Sequence, residues 1–222
     1  TTMGVNGVGA GAAGLVAFNA PIGGIAALDG LAIDAGAVAF TGTQNVGTFA
    51  ADVETGGLSF VNQTDLTIGT VQGVVGVTAD ASISLTSAAG DLILDQGVTD
   101  ANADETILLD AAGAIVGGAG IVSTNALSMT AGAGIGASSP VLTSVNSISA
   151  NSGGGTLAVT EADGLDQLSL NAGAGDVALT LTAGAVGDSD GALDITADEA
   201  SITLNSATAA DIGSALNTLQ TN

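Results

Sequence analysis

Short alternating segments recur along this chain at a step of about twenty positions, each closed by a turn of small residues. LTIGT (Leu66–Thr70), ISLTSAAGD (Ile83–Asp91), ILLDAAGA (Ile107–Ala114), LSMTAGAG (Leu127–Gly134), SISANSGGG (Ser147–Gly155) and LSLNAGAGD (Leu168–Asp176) are the clearest. Anchored on the turn glycine, Gly47, Gly69, Gly90, Gly113, Gly132, Gly153 and Gly173 follow at intervals of 22, 21, 23, 19, 21 and 20 residues. A fixed period of this length is the signature of a solenoid. Within each unit Thr, Val, Ile and Leu alternate with Ser, Asp or Ala, the period of two that marks a strand. Five or six residues bounded by glycine are too few for a stable helix. A unit holds two or three such segments, as in TLAVT (Thr156–Thr160) followed by LSLNA (Leu168–Ala172).

One coil of this kind cannot bury its apolar row alone, whereas stacked coils can, because inward Leu, Ile and Val then rest on their equivalents about 4.8 Å away. The length accommodates about ten coils, a rod of roughly 50 Å at that spacing. Ala and Gly in the turns let coils lie flush, and Asn, Ser and Thr can form side-chain ladders along the axis. Of the four Phe, three (Phe40, Phe49, Phe60) fall in one third of the chain, where they are expected to fill the core by stacking.

The chemistry open to such a rod is limited. The 222 residues include no Lys, Arg or His against 22 Asp and Glu, and no Cys, Trp or Tyr. No side chain can supply the cation of a salt bridge, an imidazole base, a thiolate or an ammonium nucleophile. A serine nucleophile would lack its base. Paired carboxylates could in principle hydrolyse a glycosidic bond, but no cationic group could hold an acidic polysaccharide and no Trp or Tyr could stack on a sugar ring. The expectation is a protein without enzymatic activity. A net charge of −22 repels nucleic acid and anionic membrane surfaces. The apolar residues are broken too often by Gly, Thr, Ser, Asn and Asp for a membrane span, and no positive leader precedes an apolar run. Disorder is disfavoured by the wealth of aliphatic and β-branched residues. Without Cys the chain tolerates oxidising surroundings, and without Lys or Arg it offers trypsin no site, which suits an extracellular material.

Three regions are distinguished. Residues 1–28 are glycine-rich and uncharged, read either as an irregular first coil or as a segment that docks on a neighbouring subunit, since an open solenoid end is an unpaired strand edge. Residues 29–206 form the solenoid proper. Residues 207–222 form a last coil or a short helix over Asp211–Leu219, with Ile212, Ala215, Leu216 and Leu219 at helical spacing and Asp211 as N-cap. Neither end has the charged outer face of a soluble cap. The chain begins without Met and reads as a processed chain or a piece of a longer one.

Calcium is the cofactor to test. Asp100, Asn102 and Asp104 in DANADE have the alternating spacing of the first three ligands of a calcium loop, with Glu105 adjacent, although the Gly expected next is missing and position twelve is Ala111. Glu161, Asp163 and Asp166 cluster around Gly164. Asp188 and Asp190 precede Gly191, with Asp194, Asp198 and Glu199 nearby. Hard oxygen ligands suit Ca²⁺, while each cluster taken singly also reads as a solvated turn. Threonine arrays for ice binding are not expected, because steps such as Thr180–Thr182 do not recur at one position of successive coils.

VNQTDLTIGTVQGVVGVTADASISLTSAAGDLIL (Val61–Leu94) and AIVGGAGIVSTNALSMTAGAGIGA (Ala114–Ala137) resemble the repeat regions of filamentous-haemagglutinin-like exoproteins, large bacterial surface adhesins. The resemblance covers about Gln63 to Asn205. It implies a right-handed parallel β-helix and a place outside the cell, and it speaks for architecture, naming no receptor or glycan. The secretion domain of such proteins is not recognisable here. The resulting expectation is a structural fibre subunit that associates with itself, or alternatively a passive stalk of a larger adhesin.

Overall fold

A computed structural model describes residues 1–6, 14–187 and 193–205. Among them there is no helix, so the helix expected over Asp211–Leu219 lies outside the described residues. The chain is a parallel β-solenoid of about nine turns, close to the ten coils expected. Eighteen strands join one continuous sheet wound along the rod. Outside it, Leu15–Phe18 pairs in parallel with Ala37–Phe40, and Thr70–Val71 forms an antiparallel hairpin with Val74–Val75.

Parallel register carries one inward position through the described coils from end to end. Val5, Ile33, Ala51, Val77, Val98, Val122, Thr143, Glu161, Leu181 and Leu204 each stand directly over the one before. Alternate residues face inward, so strands such as Ile83–Ser87 read buried, half-buried, buried along their length. The core is a stack of aliphatic rungs with Phe49 and Phe60 stacked face to face at 4.0 Å between ring centres. Phe40 packs edge-on against both, and Phe18 stacks on Phe40 at 5.0 Å. Phe49 and Phe60 fill the core, and Phe40 and Phe18 pack half-buried against it.

In the first coil, Thr2–Asn6 pairs with Leu28–Ala35 and Leu15–Phe18 with Ala37–Phe40. The turn glycines need a correction. Gly90, Gly113 and Gly132 do share a corner, since Gly113 N–H donates to Gly90 C=O and Gly132 N–H to Gly113 C=O, each at 2.9 Å. A side chain at Gly132 would meet Ala112 C=O at 2.2 Å, which is why this corner takes glycine. Gly69 instead donates to Phe49 C=O, and Gly90 stands over Asp65, so Gly69 belongs to another corner, while Gly47 lies within the strand Val46–Val53. The hairpin at Thr70–Val75 lengthens that coil and moves the turn. It folds back over Gly30, Ala32 and Ala50, whose small size admits Val71. Thr160, Thr180 and Thr203 occupy one outward position in successive coils, but the Thr-x-Thr step of Thr180–Thr182 does not recur there, because Ala162 and Asn205 stand two residues after Thr160 and Thr203.

Where the chain turns, ladder bonds stop and buried polar side chains replace them. Asn62 is fully buried: its Oδ1 accepts Val46 N–H (2.8 Å) and its Nδ2 donates to the carbonyls of Val46, Thr64 and Asp65. Gln44, one coil away, accepts Ile22 N–H and donates to Thr41 and Gly42 C=O. Ser87 donates to Thr64 C=O (2.7 Å).

Asn62→Leu is expected to cost about 2–4 kcal/mol, because it keeps the volume and leaves several buried backbone groups unpaired. Exposed Ser59→Ala should change stability by less than about 0.5 kcal/mol. Urea denaturation with circular dichroism detection compares them; equal midpoints would contradict the role given to Asn62.

Candidate functional site

The first two acidic clusters sit at corners, where Asp100 and Glu161 close the turns. Asp100 ends the strand Val98–Asp100 and its side chain is buried. Its Oδ1 accepts Asn102 N–H (3.1 Å) and its Oδ2 accepts Glu105 N–H (2.9 Å), so the carboxylate closes its own loop, helped by Ala103 at φ 54°. Asn102 donates from Nδ2 to Asp80, at 2.6 Å to its C=O and 3.0 Å to Oδ1. Asp104 and Glu105 are exposed, and Glu105 accepts the Ser82 hydroxyl at 2.8 Å. The DxNxD spacing that resembles a calcium loop is also that of an aspartate accepting from N–H groups two and five residues on.

Glu161 occupies the inward column between Thr143 and Leu181 and is fully buried. Thr143 Oγ1 donates to Oε2 at 2.6 Å, and Val145, Ala162 and Asp163 N–H donate to Oε1 at 3.3, 2.8 and 3.2 Å. Burial, reinforced by the Asp163 side chain, pushes its pKa up to about 7, against the lowering effect of Thr143 and the backbone donors. Asp163 and Asp166 are exposed and line a hollow of about 300 Å³ with Asn146 and Gly187. Glu161 thus sits behind this hollow, closing the corner.

Asp188 and Asp190 lie outside the described residues. Asp194 is buried at the start of the last coils, and its C=O accepts Leu170 N–H at 2.7 Å. Among the described residues, no group of three or more acidic side chains is placed to hold a metal ion. Two acids not singled out from the sequence do similar work between coils: Asp65 Oδ1 accepts Asp91 N–H (2.9 Å), and Asp91 Oδ1 accepts Ala114 N–H (2.7 Å). Their signal was an acid immediately before a strand, as in QTDL and AAGDL.

A hollow of about 620 Å³ opens beside Ala37–Phe40 and Leu58–Asn62. Val38, Phe40, Leu58, Ile83 and Leu108 line it with Ser59, Ser82 and Ser84, and no ionisable side chain reaches it. Its chemistry is contact and hydrogen bonding, with nothing to move a proton.

Glu161 supplies a pH dependence. Unfolded, its carboxyl titrates near 4.5, while folded it holds its proton to about pH 7. The folded state therefore binds more protons across that interval, and this contribution to stability is full below about pH 4.5 and lost as pH rises through 7. The expected loss is on the order of 3 kcal/mol. Melting temperature should fall between pH 5 and 8, and Glu161→Gln, which keeps an acceptor but cannot ionise, should flatten that slope. An unchanged slope in the variant would remove Glu161 as its cause.

No protein-family model matches the chain, and neither curated proteins nor solved structures match it.

Proposed function

We propose that this protein is a structural fibre subunit of an extracellular or cell-surface assembly, whose activity is to associate with copies of itself. One observation carries the reading: a single parallel register runs from Val5 to Leu204, and the polar side chains that could do chemistry are bonded into its corners. Such a ladder is extensible, because each coil presents to the next the surface it received. The absence of any cationic, imidazole or thiol side chain favours a material over an enzyme. A location outside the cell draws on the likeness to haemagglutinin-type repeats and on a composition that offers trypsin no site.

The second reading is a passive stalk in a larger adhesin, for which the same solenoid suffices. Electron microscopy and sedimentation of the purified chain separate the two. A fibre subunit is expected to form filaments whose length grows with concentration, and a stalk to remain a monomeric rod. A monodisperse monomer at all concentrations would overturn the fibre reading.

A further inference from the structure

We propose that copies of this chain join head to tail, the strand Ala200–Leu204 of one adding in parallel to the strand Thr2–Asn6 of the next, with Leu204 over Val5. This rests on the self-association proposed above and names its interface.

Three observations agree on that register. The first is the core column, whose end rungs are Val5 and Leu204. Every rung between them is buried, whereas Val5, Ile202 and Leu204 are only half-buried and Met3 is 40% exposed. Docking would place Ile202 over Met3 and continue two apolar rows.

The second is the direction of the backbone groups. Asp29 N–H donates to Thr1 C=O at 3.0 Å, so Thr1 faces the second coil. By strand alternation Met3 and Val5 face it too, and the N–H and C=O groups of Thr2, Gly4 and Asn6 point the other way, where no described strand pairs with them. At the other end Val177 N–H donates to Glu199 C=O and Asn205 N–H to Leu181 C=O, each at 2.8 Å. Ser201 and Thr203 therefore face inward along the ladder, and Ala200, Ile202 and Leu204 present theirs to the side where no described strand pairs with them. With Gly4 opposite Thr203, Gly4 N–H meets Ile202 C=O and Leu204 N–H meets Gly4 C=O. The same pattern joins Leu181 to Asn205 one coil below. A slip of one residue would turn both sets of groups away and the apolar rows outward.

The third is charge. Molecules of net charge −22 with no cationic side chain repel wherever carboxylates meet. Residues 1–28 carry none, and neither does Ala200–Leu204. The paired strands bring no charged side chain against another.

The test uses Gly4→Pro and Leu204→Pro. Each removes an N–H from an open edge and leaves the bonds to its own neighbouring coil, and edge strands tolerate proline. Each variant alone should sediment as a monomer with an unchanged β-type circular dichroism spectrum. Their equimolar mixture should form dimers and stop, because Gly4→Pro keeps a working last strand and Leu204→Pro a working first strand. Should one variant misfold, the other in substoichiometric amounts should still shorten wild-type filaments several-fold. Filaments from either variant alone, a mixture that stays monomeric, or wild-type filaments of unchanged length would overturn this interface while leaving self-association standing. Wild-type chain that never associates would remove the fibre reading itself.

Discussion

A polypeptide wound into flat coils can pair its backbone along the straight segments, but at each corner the ladder breaks and buried N–H and C=O groups need other partners. The stability of this rod depends on how those corners are closed. Asn62 and Gln44 do it with amides, Ser87 with a hydroxyl, and Asp100 and Glu161 with carboxylates. An unpaired buried backbone group costs about 1–3 kcal/mol, so a few unclosed corners would consume much of a typical domain's stability. The aliphatic rungs supply the driving force, and the corner side chains decide that only one winding satisfies the backbone.

The second constraint is charge of one sign. In-register stacking places equivalent residues about 4.8 Å apart, so a charged residue repeated on a flat face would meet its own kind in every coil, with no cation to relieve it. The outward position Ser59, Ser84, Leu108, Ser128, Ser149, Ser169 shows the consequence: six successive coils and no charge. The neighbouring outward position has one carboxylate, Asp110, between Thr86 and Thr130. Asp34 and Asp52 are a stacked pair that departs from this pattern, with Asn6 and Thr78 as their uncharged neighbours in the column. Most other described acids lie at corners, where the coils turn toward water or toward unpaired N–H groups. The same economy leaves the strands at the two ends neutral.

The architecture was legible because period two and the twenty-residue step are both imposed by stacking, and Ile83–Asp91 or Leu127–Gly134 show them plainly. Register was legible only where coils are of even length. Between Ala51 and Val77 the hairpin at Thr70–Val75 adds residues, and an anchor on Gly69 therefore fell on the wrong corner. Asp100 and Glu161 lie at corners of the rod, and their spacing in the sequence did not reveal the backbone N–H groups they accept from. Sequence spacing cannot distinguish an aspartate that accepts backbone N–H groups from one that faces an ion, since both favour small residues at alternate positions. Glu161 was hidden for a different reason: its neighbour in the column is a threonine 18 residues earlier, and its burial is visible only once the coils are stacked.

In-register parallel stacking is the central claim, and a chain without cysteine allows it to be tested with one introduced pair. Ser149 and Ser169 are direct partners on the outer face of adjacent coils. At about 4.8 Å between adjacent strands they fall within the Cα separation of about 4.4–6.8 Å that a disulfide spans. Ser149→Cys with Ser169→Cys should therefore oxidise within one molecule, read as loss of free thiol without a dimer on a non-reducing gel. Ser128→Cys with Ser169→Cys, two coils apart, should not. Intramolecular bonding in the second pair, or its failure in the first, would contradict the register on which the whole account stands.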